Sequence, residues 1–355
     1  MLKINTQDYS IVFNADGFES INEILNTNNY SKIFVIVDQI THEVCLNTFL
    51  TQIQINTTIE IIEIEAGEQH KTIETCLGVW NALSELNADR RSIILNLGGG
   101  VVTDLGGFIA CTYQRGIDFI NIPTTLLAMV DASVGGKNGV DLGHLKNQVG
   151  IIKTPLLVHI NTTFLETLSP KELRSGLAEM LKHGLIHSTT HWDKLTRLKD
   201  FNTSDFEALI FESVSIKKDI VEKDPYEKKE RKTLNFGHTL GHAIESYFLT
   251  SKDKTRILHG DCVAIGMILA CFISHKLLNF DLDDCNFIKG YLKQLYGEVS
   301  FTTKDINAII ELLKYDKKNE HGNINFVLLE AIAQPKINCL VDNQIIFEAF
   351  DYYKN

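Results

Sequence analysis

The sequence has no surplus of positive charge, no long apolar run and no paired-cysteine motif. Lysine and arginine number 34 against 45 aspartates and glutamates, a net charge of −11 at pH 7. A chain built to grip a phosphate backbone shows the opposite balance, so nucleic acid is not an expected partner. The longest charge-free stretch, 44–59, is laced with Asn, Thr and Gln. More apolar stretches such as 262–274 fall short of the roughly 20 residues a membrane span needs, so no membrane is expected either. The opening MLKINTQDYSIVF lacks the basic start, apolar core and small-residue cleavage site of an export signal. Seven cysteines are an odd number and never stand at CxxC spacing, which argues against a disulfide framework or a thiolate zinc site. A reducing, cytoplasmic location is the expectation. Internal repeats, low-complexity tracts and long Pro/Gly/Ser linkers are also missing.

What is present is ordinary globular composition, 44% hydrophobic and 22% charged over 355 residues. At about 150 residues per domain, that length suggests two domains. They differ in character. Of the 23 glycines, 11 lie between Gly98 and Gly150. In this first half, β-branched runs at 32–38, 59–66, 92–98, 118–123 and 156–160 recur between helix-like stretches, the pattern of a parallel, helix-covered sheet. After Phe164 the pattern turns helical, over 170–187, 203–223, 234–249, 261–278, 283–295 and 303–313. Two late strand-like runs, 323–329 and 336–341, form either a hairpin or an added sheet edge. The expectation is an α/β fold: a parallel-sheet, Rossmann-like domain over 1–162 and a mostly helical domain over 163–355, closely packed around a cleft.

The segment RRSIILNLGGGVVTDLGGFIA runs from a strand through three glycines into a helix. Glycine lets backbone approach a pyrophosphate, and a helix amino terminus offers it unpaired N–H groups and a favourable dipole. The spacing is not the full GxGxxG fingerprint, and a plain strand-to-helix turn reads the same way. A second cluster, SVGGKNGVDLGHLKNQVG at 133–150, carries Lys137 and Lys146 on what reads as glycine-rich loops. Asn138 after Lys137 rules out a nucleotide-triphosphate loop.

In the second half, NFGHTLGHAIE at 235–245 is the most distinctive string. Residues four apart share a helix face, so His238 and His242 could both reach one metal or one substrate. His259, just before a helix, and Glu179 in ELRSGLAEMLKHG are further candidates. Two histidines and a carboxylate with an open position is a recurrent catalytic zinc arrangement, although packed histidines at this spacing are also common.

Taken together, GGGVVTDLGGF, IPTTLLAMVDASVGGKNGV, LKNQVG, ELRSGLAEMLKHG, LNFGHTLGHAIE and HGDCVAIGM stand in one order, between AGEQHKT at 66–72 and DKKNEHGNINFVLL at 316–329. In this the chain resembles the 3-dehydroquinate synthase family, sugar-phosphate cyclases of the shikimate pathway. The resemblance implies an NAD-binding α/β domain joined to a helical domain that binds metal and substrate. It implies conversion of 3-deoxy-D-arabino-heptulosonate 7-phosphate to 3-dehydroquinate and phosphate. The steps are transient oxidation at C5 by NAD, β-elimination of phosphate, re-reduction, ring opening and intramolecular aldol closure.

By motif, the resemblance assigns NAD to Asp38, Glu68, Lys71, Gly99, Gly100, Val101, Asp104, Thr124, Thr125, Lys137, Lys146, Phe164 and Thr167. It assigns zinc, or cobalt in its place, to Glu179, His238 and His259, and moves His242 from metal to substrate. Substrate recognition falls to Lys137, Lys146, Asn147, Lys182, Lys217, Arg231, Asn235, His242 and Lys317 or Lys318. Catalytic roles fall to His242, Lys137, Asp131 and Asn235. Arg115 is the arginine that reaches a neighbouring active site, which implies a homodimer. Departures from the family pattern are Leu145 and Lys228-Lys229-Glu230 where a glycine is usual, Asn138 for Thr, and Gly-Asp-Cys after His259 for Gly-Glu-Ala. The rival readings are a sister sugar-phosphate cyclase and a metal-dependent alcohol or glycerol dehydrogenase. The acidic surplus is expected on the outer surface, with the cations gathered on the small anionic substrate.

Overall fold

The computed structural model describes residues 2–143, 145–198, 203–251, 253–313 and 324–355. The chain divides into two compact units, Met1–Ser169 and Pro170–Asn355. The division falls slightly beyond residue 162 because Thr162–Thr167 is a 3-10 turn held to the first unit: the Thr162 N–H donates to Asn14 Oδ1 at 3.1 Å.

Unit one is built on a sheet of β1 (Lys3–Asn5), β2 (Ser10–Phe13), β3 (Ile33–Asp38), β4 (Ile59–Ile64), β5 (Ile93–Gly98), β6 (Asp118–Pro123) and β9 (Leu157–Ile160), ordered β1-β2-β9-β6-β5-β3-β4. Pairing is parallel from β2 to β4, and only β1 runs antiparallel. Runs such as IFVIVD in β3 and IILNLG in β5 are almost wholly apolar because both faces of a parallel strand are covered, and the one polar residue inside them, Asn96, is buried and donates to Asn121 Oδ1 at 2.9 Å. The covering helices include α1 (Asn14–Thr27), α2 (Ile73–Glu85) and α3 (Gly100–Thr112). Phe34, Ile36, Ile94, Val79, Leu83, Leu105 and Ile109 pack in one core cluster on this sheet.

The glycine-rich stretch 133–150 is not a set of loops. Lys137–Leu142 (β7) and Leu145–Ile152 (β8) pair antiparallel as a separate two-stranded ribbon. Its glycines serve strand pairing: Gly139 lies opposite Gly150, where a Cβ would sit 2.7 Å from the Val149 carbonyl on one strand and 2.5 Å from that of Asn138 on the other. Glycine usually marks an interruption of a strand, which is why the sequence reads as loop here.

Unit two is mostly helical: α4 (Pro170–His187), α5 (Thr189–Thr196), α6 (Thr203–Lys223), α7 (His238–Thr250), α8 (His259–Leu278), α9 (Leu282–Tyr296), α10 (Thr303–Leu313) and α11 (Asn343–Lys354). The late strands β10 (Asn325–Ala331) and β11 (Gln334–Leu340) form an antiparallel hairpin of their own. Among the described residues, α8 alone is long and apolar enough to cross a membrane, and most of it is buried inside the protein. Burial, rather than the shortness of its apolar run, marks it as a core helix.

Two helix starts differ from expectation. Gly237 adopts φ 75°, so the chain turns there and α7 begins at His238, preceded by a 3-10 turn at Glu230–Asn235. His259 is the first residue of α8, where the Asp261 carboxylate accepts the Leu258 N–H at 3.1 Å.

Candidate active site

In unit one the expected nucleotide residues collect at one edge of the sheet. Asp38 ends β3 and Gly98 ends β5, and Gly98 pairs with Pro123 at the end of β6. Thr124 and Thr125 follow β6, and the turn Glu68–His70 follows β4. These are carboxyl ends of parallel strands, the edge where open α/β sheets bind ligands.

The turn from β5 into α3 is stripped of side chains. A Cβ on Gly99 would meet the Thr125 side chain at 3.0 Å, and one on Gly100 would meet Ala132 at 3.3 Å. No side chain caps this helix, so the N–H groups of Gly100 and Val101 lead its positive end. Gly106 and Gly107 do a different job, since a Cβ there would collide with the Asn96 and Asn138 side chains. They let α3 lie against β5 and β7.

Around this turn stands a charged network. Lys71, buried, donates to Asp104 Oδ2 and Asn147 Oδ1, both at 2.6 Å, and Lys146 pairs with Glu68 at 2.9 Å. Burial works against the charge on Lys71, but Asp104, Glu68 and Asp141 outweigh it and raise its pKa above the ordinary lysine value. The Asp141 carboxylate accepts the Asn147 N–H at 2.6 Å, which helps hold Asn147 at φ 52°. Asp38 accepts from the Thr41 N–H and hydroxyl at 2.7 and 2.8 Å. Phe164 is buried, and Thr167 donates to its carbonyl at 2.7 Å. Asp131 sits in the short turn Ala128–Ala132 and Lys137 opens β7. Arg115 is exposed, with φ 72°, in the turn after α3.

In unit two, three helices bring Glu179, His238 and His259 together. Their backbones touch because glycines permit it. A Cβ on Gly266 of α8 would sit 1.9 Å from the Gly237 carbonyl at the start of α7, and one on Gly260 would sit 2.2 Å from the Ser175 carbonyl of α4. Glu179 lies mid-helix on α4, fully buried. Its Oε1 is buried without a satisfied hydrogen bond and faces His238 Nε2 at 3.1 Å and His259 Nε2 at 3.5 Å. The other oxygen, Oε2, accepts from Lys182, one turn on.

The ring nitrogens of His238, His242 and His259 also lie within 4.8 Å of one another. Both histidine-rich groupings weighed from the sequence therefore share one corner. Burial would raise the Glu179 carboxyl, but Lys182 and His238 hold it well below the usual carboxylate range. Burial works against charge on His259, yet Glu245 and Glu179 push it up to about 10. An oxygen left unsatisfied between two imidazole nitrogens is a donor set that fits zinc.

Lys182, Lys217 and Arg231 are also buried, which is rare for cations unless something anionic meets them. Arg231 donates to the Pro225 carbonyl at 2.6 Å, and Asn235 Nδ2 to Glu227 Oε1 at 2.8 Å. Where a glycine is usual, the Asp224 carboxylate accepts the N–H groups of Lys228, Lys229 and Arg231 and fixes the turn instead. Asn138 donates to the carbonyls of Gly136 and Lys153 at 3.0 and 2.8 Å, so this departure binds the ribbon's two ends together. Leu145 pairs with Leu142 at the ribbon's turn. Lys317 and Lys318 lie outside the described residues.

Sequence reasoning gave no role to Asp141 or to Glu245, whose Oε2 lies 3.1 Å from His259 Nδ1. The signal for Glu245 was its place seven residues after His238 and three after His242, on the same face of α7.

Comparison with known proteins agrees across both units. Residues 61–175 match the family model for the 3-dehydroquinate synthase N-terminal domain and 176–319 that for the C-terminal domain. The 3-dehydroquinate synthase of Parabacteroides distasonis is 40% identical over 349 residues, 98% of either chain. Among solved structures, 2-deoxy-scyllo-inosose synthase complexed with carbaglucose-6-phosphate, NAD+ and Co2+ is similar at TM-score 0.83 and 26% identity, over 99% of both chains. The 2-epi-5-epi-valiolone synthase of Streptomyces hygroscopicus, with NAD+ and Zn2+ bound, has the same fold at TM-score 0.84 and 23% identity, over 99% of this chain and 98% of that one.

Proposed function

The chain belongs to the 3-dehydroquinate synthase family, and from that premise we propose how its residues divide the conversion of 3-deoxy-D-arabino-heptulosonate 7-phosphate into 3-dehydroquinate and phosphate. When bound, NAD accepts and returns a hydride, and zinc or cobalt acts as a Lewis acid on the hydroxyl that is oxidised. Glu179, His238 and His259 hold the metal, an assignment carried by the unsatisfied Glu179 oxygen between the two imidazole nitrogens.

The dinucleotide lies at the carboxyl edge of the unit-one sheet. The N–H groups of Gly100 and Val101 at the start of α3, where Gly99 and Gly100 leave the backbone bare, would hold its pyrophosphate. Asp38, Thr124, Thr125, Phe164 and Thr167 line the rest of that edge. Glu68, Lys71 and Asp104 tie it to Lys146 and Asn147 of the ribbon, so nucleotide and substrate contacts are joined by hydrogen bonds.

The substrate carries a phosphate and a carboxylate, and the buried Lys182, Lys217 and Arg231 meet these anions with Lys137, Lys146 and a lysine at 317 or 318. Arg231 suits a bidentate grip and the lysines act as point charges. Lys182 also holds one Glu179 oxygen and so turns the other toward the histidines. Asn235 is fixed by Glu227 and orients substrate hydroxyls. The His242 ring, edge-on to His238 at 5.0 Å, passes protons at an imidazole nitrogen, which can both donate and accept. Asp131 and Lys137 complete the catalytic set.

We also propose a homodimer in which Arg115 reaches the neighbouring site. Support comes from the ribbon: Val149, Ile151 and Ile152 of β8, with Leu142 of β7, expose apolar surface on strands that pair, among the described residues, only with each other. The described cysteines are all free thiols, in keeping with a reducing cytoplasm.

The test is release of phosphate together with dehydroquinate from the heptulosonate, with NAD supplied and with or without a chelator. The expected result is chelator-sensitive release with no net change in NADH absorbance. Accumulation of NADH would point to a dehydrogenase, and turnover of a heptulose 7-phosphate lacking the carboxylate would point to a sister cyclase.

A further inference from the structure

Each metal-facing atom in unit two is aimed by a second contact. Glu179 Oε2 is held by Lys182, which leaves Oε1 toward the histidines. His238 presents Nε2 to that oxygen while its Nδ1 lies 3.1 Å from the Phe236 carbonyl, which can only accept. His259 repeats the arrangement, Nε2 toward Glu179 and Nδ1 3.1 Å from Glu245 Oε2. The difference lies in the acceptor: a backbone carbonyl for one ring, a largely buried carboxylate for the other.

We propose that Glu245 is a positioning residue for the metal site: its carboxylate accepts the His259 Nδ1–H, fixes the tautomer that leaves Nε2 as the ligand atom, and makes that nitrogen a stronger donor. The inference rests on the reading of Glu179, His238 and His259 as the metal ligands. A carboxylate behind a ligating imidazole both orients the ring and raises its basicity. Glu245 is suited to this because α7 places it on the face that carries His238 and His242, within reach of the first residue of α8.

The experiment measures zinc affinity by competition with a chromophoric chelator for the unsubstituted protein, E245A, E245Q and H238A, with metal-free thermal unfolding as a check on folding. Cobalt-loaded samples supply a d–d absorption spectrum that reports ligand geometry. E245A is expected to bind zinc about 10- to 100-fold more weakly and to alter the cobalt spectrum. E245Q, which keeps an acceptor of the same shape without the charge, is expected to lose less. Should E245A fail to fold, weaker zinc binding by a folded E245Q still carries the proposal. Zinc affinity and cobalt spectrum unchanged in both variants, while H238A loses the metal, would overturn it. Retention of zinc by H238A would instead overturn the ligand assignment on which the proposal stands.

Discussion

The two units solve opposite problems with opposite materials. At the carboxyl edge of the unit-one sheet the proposed decisive groups are backbone ones: the N–H groups at the start of α3, left bare by Gly99 and Gly100. Charged side chains nearby pair among themselves, Lys71 with Asp104 and Lys146 with Glu68. In unit two the proposed decisive groups are side chains, and three helices gather a buried carboxylate, a buried imidazole and a buried lysine with a second, half-buried imidazole. The first kind of site forbids a Cβ and tolerates many neighbours. The second demands particular atoms and uses glycine only to bring helices close enough to supply them.

The largest expected effect comes from removing one of those atoms. His238→Ala takes away an imidazole facing Glu179 Oε1, and metal content should fall from stoichiometric to background. Loss of a Lewis acid forfeits several kcal/mol of transition-state stabilisation, so kcat/KM should drop at least ~100-fold. NAD affinity, measured by titration, should hold because no unit-one group is touched. A parallel loss of NAD binding would break the contrast between the units.

Next in size is the helix contact itself. Ala at Gly266 would place a Cβ 1.9 Å from the Gly237 carbonyl, backbone that cannot step aside without moving His238. Overpacking of this kind costs about 3 kcal/mol, to be read as a lowered Tm together with weakened zinc binding. Gly78, mid-helix in α2 with nothing within 4 Å of its Cβ position, is the control. Gly78→Ala should stabilise by up to ~1 kcal/mol, as relief of helix-interior glycine does. A Tm for G266A at or above that of the unsubstituted protein would mean the helices are not held at backbone contact.

How much of this was legible follows from where the information lies. The parallel strands were visible because their β-branched runs stand out between helix-like stretches: Ile33–Asp38, Ile59–Ile64 and Ile93–Gly98 all begin and end within a residue or two of those runs, even though the edge strand Ile59–Ile64 carries Glu60 and Glu63. The β7–β8 ribbon was invisible because Gly139 and Gly150 serve a cross-strand approach that local sequence does not encode. Helix α7 was anticipated four residues early, since only the left-handed turn at Gly237 separates it from the preceding 3-10 turn. At the site, His238 and His259 could be named from their strings, whereas the role of Glu245 depends on α8 returning to α7, a tertiary fact. The exposed β8 side chains Val149, Ile151 and Ile152 were likewise unremarkable in sequence, since they stand within or just after the stretch that reads as glycine-rich loops.

The smallest effect sharpens the contrast most. Gly100 is the first residue of α3 and has no positive φ, so alanine suits its backbone and the helix. The added Cβ would lie 3.3 Å from the Ala132 methyl, a contact that a few tenths of an ångström relieves, and Tm should stay nearly constant. That methyl would nevertheless stand at the end of the helix proposed to receive the pyrophosphate against bare backbone. NAD affinity should fall about tenfold, equivalent to 1.4 kcal/mol, while zinc content stays unchanged. If the NAD dissociation constant of G100A equals that of the unsubstituted protein, the cofactor does not approach this helix closely. Gly100 would then be a packing residue against Ala132, and unit one's site would have to be sought in side chains, as unit two's is.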